Sequence, residues 1–251
     1  MSNISPLINV MKTAYNKVNR RIYRDFGEIE NIQGLDGKID RFFNKTYEFI
    51  EYNIKDYLTY CRPEWKFLNN INSSFKKDTY YWLFYPLNGK ENFKRSIPIF
   101  SSSISVFFND KIIATSVYDP LRNDLYFAEK GKGAFLNDHR IRVSNRKFLE
   151  NSLISLQATN SSLNIEELLL KHHVPLRNLR IFNSSTISVS WLCNGKLDCF
   201  IGVNMDQFLI QSSKLLMRES GGFFLETNLN NNNLFICANP TIHKKIIKIL
   251  N

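Results

Sequence analysis

Apolar residues at Leu7, Ile8, Val10, Met11, Ala14, Tyr15, Val18 and Ile22 recur at helical rather than alternating spacing, and Ser5-Pro6 supplies a cap and first turn. The spacing predicts a helix over Leu7 to Tyr23. A second helical pattern runs from about Ile39 to Tyr60, with Phe42, Phe43, Tyr47, Phe49, Ile50, Ile54, Tyr57 and Leu58 on its apolar face. The chain therefore opens with two amphipathic helices. An apolar run from Tyr80 to Tyr85 then meets Pro86-Leu87-Asn88-Gly89, the layout of a strand delivering its C-terminal end to a tight loop. Such ends are where α/β proteins put their ligands.

Further along, Ile97 to Val106 and Lys111 to Tyr118 read as strands separated by Asn109-Asp110 in hairpin position. Gly131 and Gly133 mark a tight turn that needs positive φ or close backbone approach, and the turn reads as a structural hairpin rather than a phosphate loop. Leu153 to Gln157 is expected as a strand and Ile165 to His172 as a helix. Trp191 to Ile201 gives a short helix, an Asn194-Gly195 turn and a strand. Met205 to Gly222 carries Leu209, Ile210, Leu215 and Leu216 at helical spacing, and Leu234 to Pro240 reads as an edge strand entering a closing helix, Ile242 to Leu250.

A chain of 251 residues can bury a sizeable core, as a single compact unit or as two closely packed halves. With 43% hydrophobic and 22% charged residues the composition is that of an ordinary soluble globular protein. Cys61, Cys193, Cys199 and Cys237 show no CxxC spacing and no histidine partners at zinc-finger distances, so they are expected as reduced thiols in a cytoplasmic protein. No segment has the order of a signal peptide, and no apolar run approaches the roughly 20 residues of a membrane span. His139, His243 and the pair His172-His173 beside Pro175 lack a carboxylate at ligand spacing and are expected at the surface. The net charge of +10 is the one compositional pointer to a nucleic acid or anionic membrane. It comes, however, with lysine and asparagine abundant throughout, including Asn230 to Asn233, and with no nucleic-acid-binding motif.

Trp82 to Phe93 resembles the W-[IL]-[IV]-D-P-[LI]-D-G-T-T-N-F signature of the inositol monophosphatase family, including its SuhB-like bacterial branch. Ser5 to Asn9 is similar to the family's S-P-L-[IL]-N, and Cys61 to Leu68 to its A-R-P-G-Y-G-F-L. Tyr118 to Asn137 follows Y-[DN]-P-x-x-[DN]-E-L-F-x-A-x-x-G-x-G-A-[FY]-x-N almost residue for residue. Arg180 to Thr186 resembles R-x-x-G-S-A-A, Met205 to Gly222 the W-D-x-A-A-G segment with its E-A-G-G end, and Leu234 to Pro240 the closing V-A-A-N-P. The resemblance runs from about residue 5 to 250 and implies an α/β (α+β layered) fold, alternating layers of helices and mixed β-sheets. It also implies a single unit over 1–251 made of two packed halves, roughly 1–140 and 141–251, usually in a homodimer. Family members hydrolyse phosphate monoesters with magnesium, one ion activating water and another steadying the leaving alkoxide.

The same resemblance locates the site, and there this chain departs from the family. The two aspartates and first threonine of the signature fall at Tyr85, Asn88 and Lys90, with Leu87 between them as a further ligand position. The metal-binding glutamate of the family's G-E-E-S falls at Asn70, and the aspartate after the signature tryptophan, here Phe208, falls at Leu209. The substrate-contacting glutamate is Gly202, and in R-x-x-G-S-A-A the glycine is Asn183 while Ser184 is retained. In the second helix the family aspartate is Asn44, and Glu48 survives. Magnesium prefers hard anionic oxygens, and divalent charges gathered in one pocket repel each other unless several carboxylates hold them. An amide coordinates weakly, leucine contributes nothing, tyrosine is neutral near pH 7, and Lys90 adds positive charge. Of the acids left nearby, Glu48, Glu91 and Asp206, only Asp206 stands close to an expected ligand place, three residues upstream.

The expectation is a catalytically inactive or severely impaired phosphatase, without metal, retained as a binding or scaffold protein. Asn88, Gly89, Lys90, Ser184 and Gly202 are the candidate anion-binding positions, for a phosphate-bearing small molecule held partly by backbone N–H groups. A role near the transcription or RNA machinery, as for SuhB-like proteins, is one form of this reading. The alternatives are an active magnesium-dependent phosphomonoesterase on inositol 1-phosphate or a related sugar phosphate, and a decaying gene product.

Overall fold

Ser5 opens the first helix, its Oγ accepting from the Ile8 N–H at 3.2 Å, and Pro6 sits where a missing N–H costs nothing. The computed structural model describes residues 4–34, 36–69, 75–158, 164–172 and 174–250. Helix α1 spans Pro6–Ile29, six residues beyond the end expected from periodicity. Its last turns are charged, which hid them. Asp25 is fully buried there, paired with Arg21 at 2.6 Å and Arg24 at 2.9 Å, and it accepts from Thr46 Oγ1 at 2.7 Å. Thr46 lies on α2, Asp36–Cys61, so the carboxylate ties the two helices together.

The chain then lays down β1 (Lys66–Phe67), β2 (Tyr80–Asn88), the short α3 (Lys90–Lys94), β3 (Ser101–Phe108), β4 (Lys111–Asp119), β5 (Asp124–Glu129), β6 (Gly133–Leu136) and β7 (His139–Ile141). These strands form a seven-stranded sheet in sequential order, antiparallel except for the β1–β2 pair. Next come β8 (Ile154–Ala158), α4 (Ile165–Lys171), β9 (Leu179–Arg180), α5 (Ser185–Cys193), β10 (Cys199–Val203), α6 (Gln207–Glu219), β11 (Phe223–Leu229), β12 (Asn232–Ala238) and α7 (Pro240–Leu250). Their strands make a mixed five-stranded sheet in the order β11-β12-β10-β8-β9.

Three buried clusters show how the layers stack. Ile8, Met11, Val18, Ile50 and Ile54 of α1 and α2 pack with Trp82, Ile104 and Phe127 on one face of the larger sheet. Val117, Tyr126 and Ala128 of its other face meet α5 and α6 through Val189, Leu192, Ile210 and Leu216, and these meet Phe200, Phe235 and Cys237 of the smaller sheet. Ile165, Leu169, Ile242 and Ile246 of α4 and α7 cover the far side of that sheet. The order is helix, sheet, helix, sheet, helix, the alternation that the family resemblance implies. Among the described residues no helix is long and apolar enough to cross a membrane.

Several expected boundaries move, for identifiable reasons. The strand expected to stop at Tyr85 runs through Pro86 to Asn88, with a register shift against β3 between Tyr85 and Asn88. The strand expected from Ile97 begins at Ser101, because Ile97 N–H closes the end of α3 on the Asn92 carbonyl at 2.8 Å. Helix α5 starts at Ser185 rather than Trp191. Its serines are poor helix formers, but here Ser188 Oγ bonds the Ser184 carbonyl at 2.9 Å inside a buried layer. The strand at Leu234 to Ala238 is not an edge: β12 lies between β10 and β11. The edge on that side is β11, whose mixed exposure gives no clean alternation to read.

The Asn109-Asp110 hairpin is present, with Asn109 at φ 57°. Gly131 and Gly133 have φ of 78° and 92°, and their N–H groups both donate to the Glu219 carboxylate at 2.8 Å, so the turn is closed by an anion of the chain itself. All four cysteines are free thiols, Cys193, Cys199 and Cys237 fully buried. His139 and His172 are exposed; His173 lies outside the described residues. His243 departs from the surface expectation: it is half-buried, burial lowers its pKa, and its Nε2 has no hydrogen-bond partner.

Candidate functional site

Strand β2 carries Tyr85 and Asn88 to a point where the N-termini of α5 and α6 converge. Gly89 makes the turn at φ 100°, and a Cβ there would stand 2.7 Å from the Ile99 carbonyl oxygen, which leaves room for glycine alone.

Asn88 is buried, and its Oδ1 accepts from Thr186 Oγ1 at 2.9 Å, the Thr186 N–H at 3.2 Å, Ser184 Oγ at 3.2 Å and Ser185 Oγ at 3.3 Å. The first N–H groups of a helix need acceptors from outside it. Ser184, the N-cap of α5, makes no cap bond with its own side chain, so Asn88 caps that helix from another strand. Ser184 is itself fully buried, and Thr186 Oγ1 also shares a 2.6 Å contact with Ser101 Oγ. Asn183, at the glycine position of the family pattern, sits in the left-handed region at φ 53°, a conformation that asparagine tolerates.

Tyr85 is half-buried; burial raises its pKa and the charge of Asp206 adds to the shift. Tyr47, reaching in from α2, is pushed up to about 12 by burial, with further contributions from Tyr85, Glu51 and Asp206. These two phenols and Asp206 therefore form one group. Asp206 is not at leisure within it, because its Oδ1 accepts from the Phe208 N–H at 2.7 Å as the N-cap of α6.

The remaining expected positions separate. Lys90 is exposed, with its ammonium 5.3 Å from the centre of the Phe43 ring, on the side of α2 where Asp40 also feels its charge. Leu87 is buried in the core beneath α1 and α2, and Leu209 is buried on α6. Phe208 packs toward Leu68, Tyr81, Leu83 and Phe107. At Gly202 a Cβ would fall 1.9 Å from Met205 Sδ, so Met205 fills the direction in which a longer side chain would leave the strand. Asn44 and Glu48 are exposed on α2. Asn70 lies outside the described residues. Beyond Asn183 a cavity of about 140 Å³ is lined by Gln157, Glu166, Ile181 and Val203, and the buried Gln157 Oε1 has no hydrogen-bond partner.

Sequence reasoning brought Asn88 and Ser184 to the same place but missed Tyr47, Ser185, Thr186 and Met205. Tyr47 was hidden in the apolar face of a helix. Met205 had one signal: a glycine in place of a long side chain leaves a volume that a neighbour must fill. Among the described residues no group of three or more histidine, cysteine, aspartate or glutamate side chains is gathered as a ligand set.

The layered helix and sheet architecture, with a strand-end turn facing two helix N-termini, defines a layered α/β protein in which helices and mixed sheets alternate. The model of the inositol monophosphatase family matches residues 5–251, and the chain belongs to that family. An inositol-1-monophosphatase of Rhizobium meliloti (strain 1021) is 30% identical over 260 residues, 98% of this chain and 96% of the relative. A Nus factor SuhB of Buchnera aphidicola subsp. Acyrthosiphon pisum (strain APS) is 30% identical over 258 residues, again 98% and 96%. The crystal structure of extragenic suppressor protein suhB from Bartonella henselae superposes with a TM-score of 0.80 at 27% identity over 98% of both chains.

Proposed function

We propose that this chain keeps the family's fold without its hydrolysis, and serves as a non-catalytic binding or scaffold protein. The observation that carries the reading is the fate of Asn88. Its side-chain oxygen, at a family metal-ligand position, is surrounded by donors from Ser184, Ser185 and Thr186. An oxygen already accepting that many bonds has no lone pair left to offer a cation.

The rest of the donor set does not fit magnesium either. Magnesium needs near-octahedral hard oxygens. Tyr85 offers a phenol that burial keeps protonated, Leu209 offers alkyl carbon, and Asp206 is engaged at the start of α6. Gly202 holds no carboxylate, and Met205 fills its space. Between Asn88 and Ser184 a phosphate would find hydroxyl groups already paired with an amide. Among the candidate anion-binding positions Lys90 keeps an exposed charge, and a phosphate-bearing small molecule held at Gly89 and Lys90 is part of the proposal. So are a cytoplasmic location, a homodimer, and a single unit over 1–251; the core shared by Val117 and Tyr126 with Phe200 and Phe235 supports packing of 1–140 on 141–251.

Two other readings rest on the relatives. The 30% identity to an inositol-1-monophosphatase favours an active magnesium-dependent phosphomonoesterase on inositol 1-phosphate or a related sugar phosphate. The equal identity to a Nus factor SuhB favours an association with the transcription machinery, which is compatible with a non-catalytic protein. Calorimetric titration with magnesium chloride separates the first reading from the second. The expected result is no site of millimolar or tighter affinity; a multi-site isotherm would overturn the proposal.

A further inference from the structure

The segment that joins β7 to β8 exposes Arg142, Arg146, Lys147 and Phe148 in close succession. It is pinned in place rather than loose. Ser144 Oγ donates to the buried Asp198 carboxylate, and Arg146 Nη1 donates to the same carboxylate and to the Gly195 carbonyl, both at 3.1 Å. Asn239, at the start of α7, donates to Ser144 Oγ at 3.0 Å and to the Arg146 carbonyl at 3.2 Å. The Val143 N–H donates to the Ser220 carbonyl at 3.1 Å.

This pinning assembles three further pieces around the segment. The Gly195-Lys196 turn lies against Ser144 and Arg142. Lys245 of α7 holds its ammonium 5.4 Å from the centre of the Phe148 ring. Phe223, the first residue of β11, lies 5.8 Å from the ring of His243 on α7. Both phenylalanines are large apolar groups left in water, Phe148 57% exposed and Phe223 53% exposed. The charges of residues 142–148, of Lys196 and of α7 are all basic; Asp198 beneath them is fully buried and paired with Arg146, and Glu150, two residues past Phe148, is an exposed carboxylate at the edge of the face.

We propose that this face binds single-stranded nucleic acid. Its phosphates would run along Arg142, Lys147, Lys196 and Lys244, and two of its bases would stack on Phe148 and Phe223. Positive charge alone fits any polyanion, but exposed rings set among the charges fit unpaired bases, whose π-faces a duplex keeps inside its own stack. An acidic protein surface would use the charge and leave the rings uncovered. The face lies at the C-terminal end of α5 while Asn88 lies at its N-terminal end, so nine helical residues, roughly 13 Å at about 1.5 Å per residue, separate the two. The proposal is independent of whether the chain hydrolyses phosphate esters.

Fluorescence anisotropy with labelled oligouridylate and oligothymidylate tests it on the full chain, one arm for RNA and one for DNA. The expected result is binding that weakens as salt rises and that falls at least about tenfold in the Phe148→Ala, Phe223→Ala double variant. Lys147→Glu with Lys244→Glu should flatten the salt dependence by about two phosphate contacts, whereas Lys12→Glu, on the exposed side of α1, should change nothing. Both rings are on the surface, so unchanged thermal melting checks that the variants fold. Absence of binding at low salt, binding insensitive to loss of the rings, or equally tight and equally ring-dependent binding of polyglutamate would each overturn the proposal.

Discussion

The Asn88 side-chain oxygen accepts the backbone N–H of Thr186 at 3.2 Å, so a residue of β2 caps a helix that begins nearly a hundred positions later. That bond, with its hydroxyl companions, makes Asn88 a structural residue of the interface between the larger sheet and α5.

Asn88→Ala should therefore destabilise the protein. The variant strands several buried donors at the head of α5, at a cost of about 1–3 kcal/mol. Asn88→Asp keeps the acceptor and adds a negative charge at a helix N-terminus, which is favourable there by about 0.3–1 kcal/mol. Urea denaturation should show a lowered midpoint for the alanine variant and a retained or raised one for the aspartate variant. Equal midpoints for wild type and the alanine variant would remove the capping role.

The contact between Gly202 and Met205 makes a second expectation. Gly202→Glu drives a side chain into Met205 Sδ, and overpacking of this kind costs typically about 1–3 kcal/mol. Adding Met205→Ala to the same variant should return most of the lost thermal stability, because the space Met205 fills becomes available. If the double variant melts no higher than Gly202→Glu alone, the two residues do not compete for that space.

Burial of Tyr47 gives a pH dependence with a definite sign. Burial pushes its folded pKa up to about 12 from the ordinary tyrosine value of 10.0, so the folded state holds the phenolic proton more tightly than the unfolded state. The associated stability is complete below pH 10 and is lost as pH rises from 10 through about 12. Denaturation midpoints measured across this window should fall, and fall less steeply in Tyr47→Phe. Tyr118, also pushed up to about 12 by burial, contributes in the same direction and leaves a residual slope in that variant.

Much of this architecture was legible because local signals agreed with tertiary ones. The apolar stripes at Leu7 to Ile22 and Ile39 to Leu58, the Asn109-Asp110 turn and the paired glycines at 131 and 133 each name one local structure. What stayed hidden depends on contacts distant in the chain. Ser184 to Ser188 looks like a loop until Asn88 and Ser155 supply partners for its hydroxyl groups. The place of β12 inside its sheet depends on β11, whose exposed Phe223 and Glu226 break any alternating pattern. At the candidate site the register located Asn88, Gly202 and Leu209, but the groups now filling the space, Tyr47 and Met205, stand at positions that the motifs leave unspecified. A missing acid is visible in sequence; its replacement is visible only in space.

Restoration tests whether the pocket's geometry outlived its acids. Tyr85→Asp, Asn88→Asp, Asn70→Glu and Leu209→Asp, combined with Lys90→Thr, should give a chain that binds magnesium by calorimetry. If the five-fold variant folds and still shows no binding, the ungapped register that assigned these positions is wrong.

The most direct measurement is release of inorganic phosphate from inositol 1-phosphate by the purified wild-type chain, with magnesium supplied and then removed by a chelator. The account predicts no release above the protein-free rate in either condition. Steady turnover that magnesium supports and the chelator abolishes would contradict it.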